Sequence, residues 1–529
     1  MKSMLRALAG AAILSVSSLA AMADTPKDTL VMAHKIDELI TLDPAEAFEL
    51  IGGEYLGNTY DRLIKYDLSD VSRIYGEVAD SWTVSPDGQT FTFKIRKGIK
   101  FASGNPLTAK DVEFSLQRAV ILNKNPGFIL TQFGFNKDNV AQNIKATDDS
   151  TLVFKITEKF APTFVLYCLT ANVASIVDSV EVKKHSEGPE DLGNKWLRIN
   201  YAGSGPFKMM QWKPNETLTL AANEAYWRGA PTVKRVVLRH VPEASTQRLM
   251  LEKGDIDMAR NLTPDQVKAL QSNKDVRIQS SLKGAIHYFG LNTKNPNFAK
   301  PQVRQAIKYL VDYEGLGNTV MSGIAVPHQS FLPEGMMGAI KDSPYKLDVA
   351  KAKALLAEAG LKDGFKVSMD VRNSSPYIDI AQSLQNTFKQ AGITLELIPA
   401  DNKTTLTKYR ARQHDIYLGQ WSPDYQDPHT NAQTFAANYD NTDATKAKTL
   451  AWRNSWDIPD MTKKTTAAAA ELDAAKRQKM YEEIQREHQK DSPFVIMFQE
   501  IELAAMRNNV NGFVMGPSYD NNSYHGITK

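Results

Sequence analysis

Residues 82–95 read Trp82-Thr-Val-Ser-Pro-Asp-Gly-Gln-Thr-Phe-Thr-Phe-Lys-Ile95. The stretch is a strand, a tight turn and a second strand. Pro86 at the second turn position and Gly88 at the fourth suit a type I turn with a left-handed residue behind it. Phe91, Phe93 and Ile95 alternate with polar residues, so one face of the second strand is buried. Further on, Thr108 precedes a helix with Asp111 at capping-box spacing, and Val112, Leu116 and Ala119 continue an apolar stripe.

Outward from this hairpin the pattern changes on both sides. Upstream lie a short strand, Leu30–Ala33, an extended segment ending in Leu42-Asp43-Pro44, and a helical stretch from about Gly53 to Leu63. Downstream, Gly203-Ser-Gly-Pro-Phe207 opens a second β-rich tract, with strands Leu218–Ala221 and Val233–Leu238 and a helix Thr246–Lys253. From Ala285 strands and helices alternate. The strands are His287–Leu291, Phe365–Val371, Ile393–Ile398 and Asp415–Gly419. Helices fall at Pro301–Val311, Val349–Ala359, Tyr377–Gln390 and Thr404–Arg412. This spacing predicts βαβ units and a parallel sheet with right-handed crossovers.

The N-terminus reads as a secretory signal. Lys2 and Arg6 precede a small and apolar run, and Ala21-Met22-Ala23 fits the small-x-small cleavage rule, so the mature chain would begin at Asp24. That run is too short and too rich in Ala and Ser for a membrane anchor. No cysteine lies near the cleavage point to carry a lipid. The chain has one cysteine, Cys168, in an apolar run, which reads as a buried, inert thiol. A formal charge of +3 over 529 residues, scattered along the chain, leaves no footprint for nucleic acid.

In an open α/β sheet, ligands bind outside the carboxyl ends of the strands. Arg372 follows one such strand. Trp421-Ser-Pro-Asp424-Tyr425 follows another. Arg372 offers a planar fork for a carboxylate, Asp424 an acceptor for an ammonium, and Trp421 and Tyr425 aromatic walls. Together they suit a zwitterion such as a short peptide. The plainer alternatives are a surface salt bridge for Arg372, a turn closing on its own backbone for Asp424, or an ion pair between the two in the absence of ligand.

A wider pattern bears on these residues. Val78-Ala-Asp-Ser-Trp82, Ser85-Pro-Asp-Gly88, Phe91-Thr-Phe-Lys-Ile-Arg-Lys-Gly-Ile-Lys-Phe101 and Gly104-Asn-Pro-Leu-Thr-Ala-Lys-Asp-Val112 resemble the signature of the family 5 extracellular solute-binding proteins. These are the dipeptide, oligopeptide and nickel binders of ABC importers. Gly203-Ser-Gly-Pro-Phe207, Asn223-Glu-Ala-Tyr-Trp227, Gly254-Asp-Ile-Asp257 and Phe289-Gly-Leu-Asn292 resemble further family blocks in order.

The resemblance implies a two-lobed α/β periplasmic binding protein, type II-like, with mixed sheets flanked by helices and an extra third domain. Lobe I would comprise 24–64, 195–286 and 495–529, the inserted domain 65–194, and lobe II 287–494. The chain would cross between lobes near Ala285–Gly290 and Pro493–Phe498. The resemblance places Asp424 at the ligand's amino group and Arg372 at its carboxylate, with Tyr377 close to Arg372. It sets Phe48 and Glu49 on the lobe I side of the cleft. The tyrosine follows Asn373-Ser-Ser-Pro376, later than in the dipeptide binders. The implied protein is a periplasmic monomer that hands a peptide-like solute to the permease of an ABC importer. The alternative cargo on this fold is a nickel chelate, an opine or a sugar conjugate.

No His-Glu-x-x-His, cysteine pair, phosphate loop or Gly-x-Ser-x-Gly is present, so neither catalysis nor a cofactor is expected. The nine histidines are scattered, and no metal site is expected. His429, beside the ligand loop, reads as a solvated loop residue. An exported hydrolase or a periplasmic holdase is the competing class.

Overall fold

A computed structural model describes residues 25–68 and 70–529; the signal segment at 1–23 lies outside them. The hairpin forms as its sequence dictates. Ala79–Val84 pairs antiparallel with Thr90–Ile95, setting Trp82 opposite Phe93 and Val84 opposite Phe91. The Gly88 N–H donates to the Ser85 carbonyl at 2.9 Å, and Gly88 takes a positive φ of 74°. Thr151–Lys155 and Ile144–Asp148 complete a four-stranded sheet. The helix Ala109–Leu122 lies against it, and Asp111 Oδ2 accepts from the Thr108 N–H at 2.8 Å and its hydroxyl at 2.9 Å. Phe91, Phe93, Leu116, Phe154 and Phe164 share one core. Cys168 lies in that core, and burial pushes its thiol well above the ordinary range.

The second sheet has 11 strands. Its order is Thr394–Ala400, Lys366–Arg372, Ile416–Trp421, Val276–Leu291, Phe494–Arg507, Met258–Ala259, Thr29–His34, Arg235–His240, Thr217–Ala222 and Phe207–Lys213. Ala325–Pro327 adds to Phe494–Arg507 off this path. The seam is the long antiparallel pair Val276–Leu291 and Phe494–Arg507. Its register breaks midway: Leu282 faces Ile501, and the next pair is Ile286 with Gln499. Residues 283–285 therefore bulge out opposite Glu500, and a bulge bends its strand. On one side of the break Leu30, Phe207, Leu220 and Val236 build one core. On the other, Phe289, Ile307, Val371, Leu384 and Ile416 build another.

The βαβ reading holds for Lys366–Arg372, which runs parallel to both Thr394–Ala400 and Ile416–Trp421. Ile416–Trp421 is antiparallel to Val276–Leu291, so the sheet is mixed where strand–helix alternation predicts parallel. The seam strand enters from the other half of the sheet, which fixes its direction. It also begins at Val276 rather than His287. Residues 276–282 are mostly half-buried, and the polar run Gln279-Ser280-Ser281 breaks the apolar alternation, so the pattern is too weak to mark a strand.

A buried charge cluster sits beside the break. Arg260 donates to Glu54 Oε1 at 2.6 Å and Oε2 at 3.0 Å, and also to Glu502. Lys283 Nζ, from the bulge, reaches Glu502 Oε2 at 2.8 Å, Asn522 Oδ1 at 2.9 Å and the Gly516 carbonyl at 2.5 Å. Three acceptors exhaust the three N–H donors of this ammonium.

Candidate functional site

The break opens onto a cavity of ≈ 980 Å³, part of it continuous with solvent. Four parts of the chain wall it. Residues 283–285 come from the seam, 422–426 from the loop after Ile416–Trp421, 47–53 from the entry to the first helix, and 517–520 from the C-terminal tail; Pro126, Ile129 and 170–173 close it from the hairpin unit. It thus lies beyond the carboxyl end of Ile416–Trp421, where α/β sheets bind ligands.

Asp424 is the chemical focus. Its backbone N–H donates to Thr430 Oγ1 at 3.1 Å, which pins the loop to the following helix. Among the described residues its carboxylate has no hydrogen bond and no ion pair, with Arg372 or any other cation. Burial pushes it up to about 7 against the opposing field of Arg453. An unpaired, half-buried carboxylate on a cavity wall is a receptor for a cation. The turn that would have closed this side chain onto its own backbone does not form.

Two other acids stand on the wall: Glu49, which accepts from the Phe48 N–H at 3.2 Å, and Asp520. Asp520 pairs with the buried Arg62 at 2.8 Å, and Arg62 Nη1 also donates to Asn172 Oδ1 at 3.3 Å. Lys283 lines the cavity, with its donors spent on Glu502, Asn522 and Gly516.

Of the residues singled out in the sequence, Asp424, Tyr425, Phe48 and Glu49 line this cavity; Arg372, Trp421 and Tyr377 do not. Trp421 is turned to the protein interior. Its Nε1–H donates to Asn431 Oδ1 at 3.1 Å, and its ring packs against Phe435. Tyr425 is 6% exposed, with its ring 5.6 Å from Phe164. It ties the loop to the hairpin unit's core as much as it walls the cavity.

Arg372 and Tyr377 stand one strand further out, because Lys366–Arg372 is separated from the seam by Ile416–Trp421. The Arg372 guanidinium lies 4.5 Å from the Tyr377 ring centre and has no carboxylate partner among the described residues, so it is not a surface salt bridge. Beside it His287 is buried and held down to about 4, by burial first and by the Arg372 charge second. A relay runs back to the cavity. The Tyr377 hydroxyl donates to Gln420 Oε1 at 3.1 Å, Gln420 Nε2 donates to Glu500 Oε2, and Glu500 Oε1 accepts from the Tyr519 hydroxyl at 2.7 Å. Tyr519 lines the cavity.

His429 corrects its reading as a solvated loop residue. It is 3% exposed at the first position of the helix His429–Ala436, with its ring 5.0 Å from Phe164. Burial holds it near 4. The following helix docks on the hairpin unit, and local sequence does not show that contact. Lys283, Asn172, Tyr519 and Asp520 carry no local signal for the same reason: segments far apart in the chain bring them together. Among the described residues no group of three or more His, Cys, Asp or Glu is placed to hold a metal, and no helix is long and apolar enough to cross a membrane.

The model of the bacterial extracellular solute-binding proteins, family 5, matches residues 73–443. The chain belongs to this family. A curated relative, the probable D,D-dipeptide-binding periplasmic protein of Escherichia coli, is 30% identical over 511 residues, covering 96% of this chain and 95% of its own. Among solved family 5 structures, an ABC transporter-associated periplasmic binding protein from Helicobacter pylori in complex with the peptide STSA superposes with a TM-score of 0.78. That match has 24% identity and covers 94% of this chain and 98% of the other. A Campylobacter jejuni protein in complex with Ni(L-His) shares the fold at TM-score 0.75 and 19% identity, covering 96% and 100%. The two-lobed architecture is thus that of family 5, and its members carry chemically different cargoes on one scaffold.

Proposed function

We propose that this family 5 protein is the periplasmic component of an ABC importer and captures a peptide-like zwitterion. The observation that carries the reading is Asp424: an unpaired carboxylate, raised to about 7 by burial, on the wall of a cavity at the seam. It receives the ligand's ammonium. Arg372, the unpaired cation at the end of the neighbouring parallel strand, receives the carboxylate of a ligand long enough to pass beyond the cavity. Similarity to peptide-binding family members, the D,D-dipeptide-binding relative among them, supports the same class.

Ligand held from both sides of the seam favours the closed arrangement, and the bulge at 283–285 is the hinge that absorbs rotation. In this reading lobe I comprises 24–64, 195–286 and 495–529, and lobe II 287–494, with 65–194 inserted. The signal segment sends the protein to the periplasm, where it acts as a monomer, without turnover, and presents its closed form to the permease. Calorimetry with a dipeptide and its N-acetylated form tests the cargo class. The free amine binds and the acetylated form does not; equal affinity for both sinks the reading.

A further inference from the structure

The cavity has two chemically different sides. The loop 422–426 contributes Asp424 and the Gln426 amide, and the seam contributes Lys283. The side built from 47–53 and the hairpin unit is mainly apolar: Phe48, Leu50, Pro126, Ile129 and Val173 line it, with Glu49, Thr170 and Asn172 as its polar members. Ile129 and Val173 are each 2% exposed, so they form a fixed floor. Phe48 at 36% and Leu50 at 44% stand open to solvent. Phe128, 39% exposed, meets the Phe48 ring edge-on at 5.9 Å. Among the described aromatic pairs this is the one in which both rings are exposed. An aromatic pair and a leucine left in water at the mouth of one cavity mark a surface covered in the bound state.

Polar groups on this side are largely engaged within the protein: the Thr170 hydroxyl donates to the Tyr167 carbonyl at 2.7 Å, and Glu49 Oε2 accepts from the Phe48 N–H at 3.2 Å. Asp520 and Asn172 are held by Arg62, and Lys283 is saturated. We infer that Phe48, Leu50, Pro126, Ile129 and Val173 form an apolar subsite that takes a hydrophobic side chain of the ligand whose amine Asp424 holds. The cargo class is therefore an amine carrying an aliphatic or aromatic group near its charged end. This rests on the amine reading of Asp424, and it adds a preference that reading does not contain.

Covering a leucine-sized group in such a subsite is worth on the order of 10- to 100-fold in affinity. The test is calorimetry of wild type, Phe48→Ala and Leu50→Ala with Leu-Gly and Gly-Gly. Both substitutions fall on exposed side chains, and unchanged thermal unfolding verifies the fold. The expected result is a wild-type ratio of at least tenfold in favour of Leu-Gly that falls severalfold in each variant. Equal affinities, or a ratio untouched by both substitutions, overturn the subsite while the amine reading stands. If neither dipeptide binds, the peptide reading fails, and phenethylamine against ethylamine then decides the subsite. A phenethylamine preference that Phe48→Ala removes supports it. No preference, or no saturable binding of either amine, overturns it.

Discussion

Pro423 lies directly on Gly284: a Cβ at position 284 would meet Pro423 Cδ and Cγ at 3.1 Å each. One residue belongs to the seam bulge, the other to the loop carrying Asp424. The two features that define the site are thus in van der Waals contact, and the absent side chain is what lets them approach. The Gly284 N–H donates to the Pro517 carbonyl at 3.1 Å, so the tail is tied to the same point.

Gly284→Ala forces the Pro423 ring to give by a few tenths of an ångström, because Gly284 is itself anchored. The loop moves with the ring, and Asp424 is the next residue. We expect a stability change below about 1 kcal/mol, since the neighbour is a loop ring rather than packed backbone. Affinity for an amine-bearing dipeptide should fall severalfold. Gly284→Leu, which cannot be accommodated by so small a shift, should abolish binding. Calorimetry on both variants, with thermal unfolding as the control, checks this.

Asp424 links affinity, stability and pH. Ligand ammonium needs the ionised carboxylate, so affinity should drop as pH falls below about 7, approaching tenfold per unit. Stability runs the other way. The folded value lies above the unfolded one, so the folded state binds the proton more tightly. This contribution is complete below the ordinary carboxylate range and is lost as pH rises through about 7. Asp424→Asn should therefore stabilise the ligand-free protein at pH 8, on the order of 1–3 kcal/mol, while removing ligand binding. Denaturant titrations at pH 5 and pH 8 read the first effect and calorimetry the second.

How much of this was readable beforehand follows from where the information sits. The hairpin at 82–95 is local: a Pro-Asp-Gly turn and a two-residue alternation decide it, and the strands pair as read. Asp424 was legible because a strand end is a position that a sequence pattern can locate. Lys283 and Tyr519 were not. Their place depends on a register break between strands more than 200 positions apart in the chain and on a tail that folds back across it. Trp421 misled for a related reason: it occupies the right strand end, but its indole N–H finds Asn431 inside the fold, and neither periodicity nor spacing gives the direction of one side chain.

Arg372 separates a zwitterion from a plain amine. If its free guanidinium takes the ligand carboxylate, Arg372→Ala should cost a peptide long enough to reach it about 2 kcal/mol or more. The same change should cost that peptide in its C-terminally amidated form almost nothing. Arg372→Lys should recover only part, because an ammonium cannot reproduce the two-point contact. Equal losses for acid and amide would show that Arg372 acts only by packing on Tyr377. Calorimetry on the two ligands and two variants completes the cycle.

Glu502 supplies the acid side of the stability profile. Burial pushes its carboxyl up, but the Arg260 and Lys283 charges outweigh burial and hold it at about 2. A carboxyl depressed in the folded state stabilises above its unfolded value, near 4.3, and that contribution is lost as pH falls toward about 2. The amount is on the order of 2–3 kcal/mol. Glu502→Gln removes this slope and leaves Arg260 and Lys283 short of one anion in a buried cluster, which should cost about 3 kcal/mol or more at pH 7. The signature is specific. The variant is much weaker than wild type at neutral pH, yet the gap narrows as pH falls from 4 to 2. Urea unfolding across that range measures it, and a gap independent of pH would show that Glu502 is not the group that titrates.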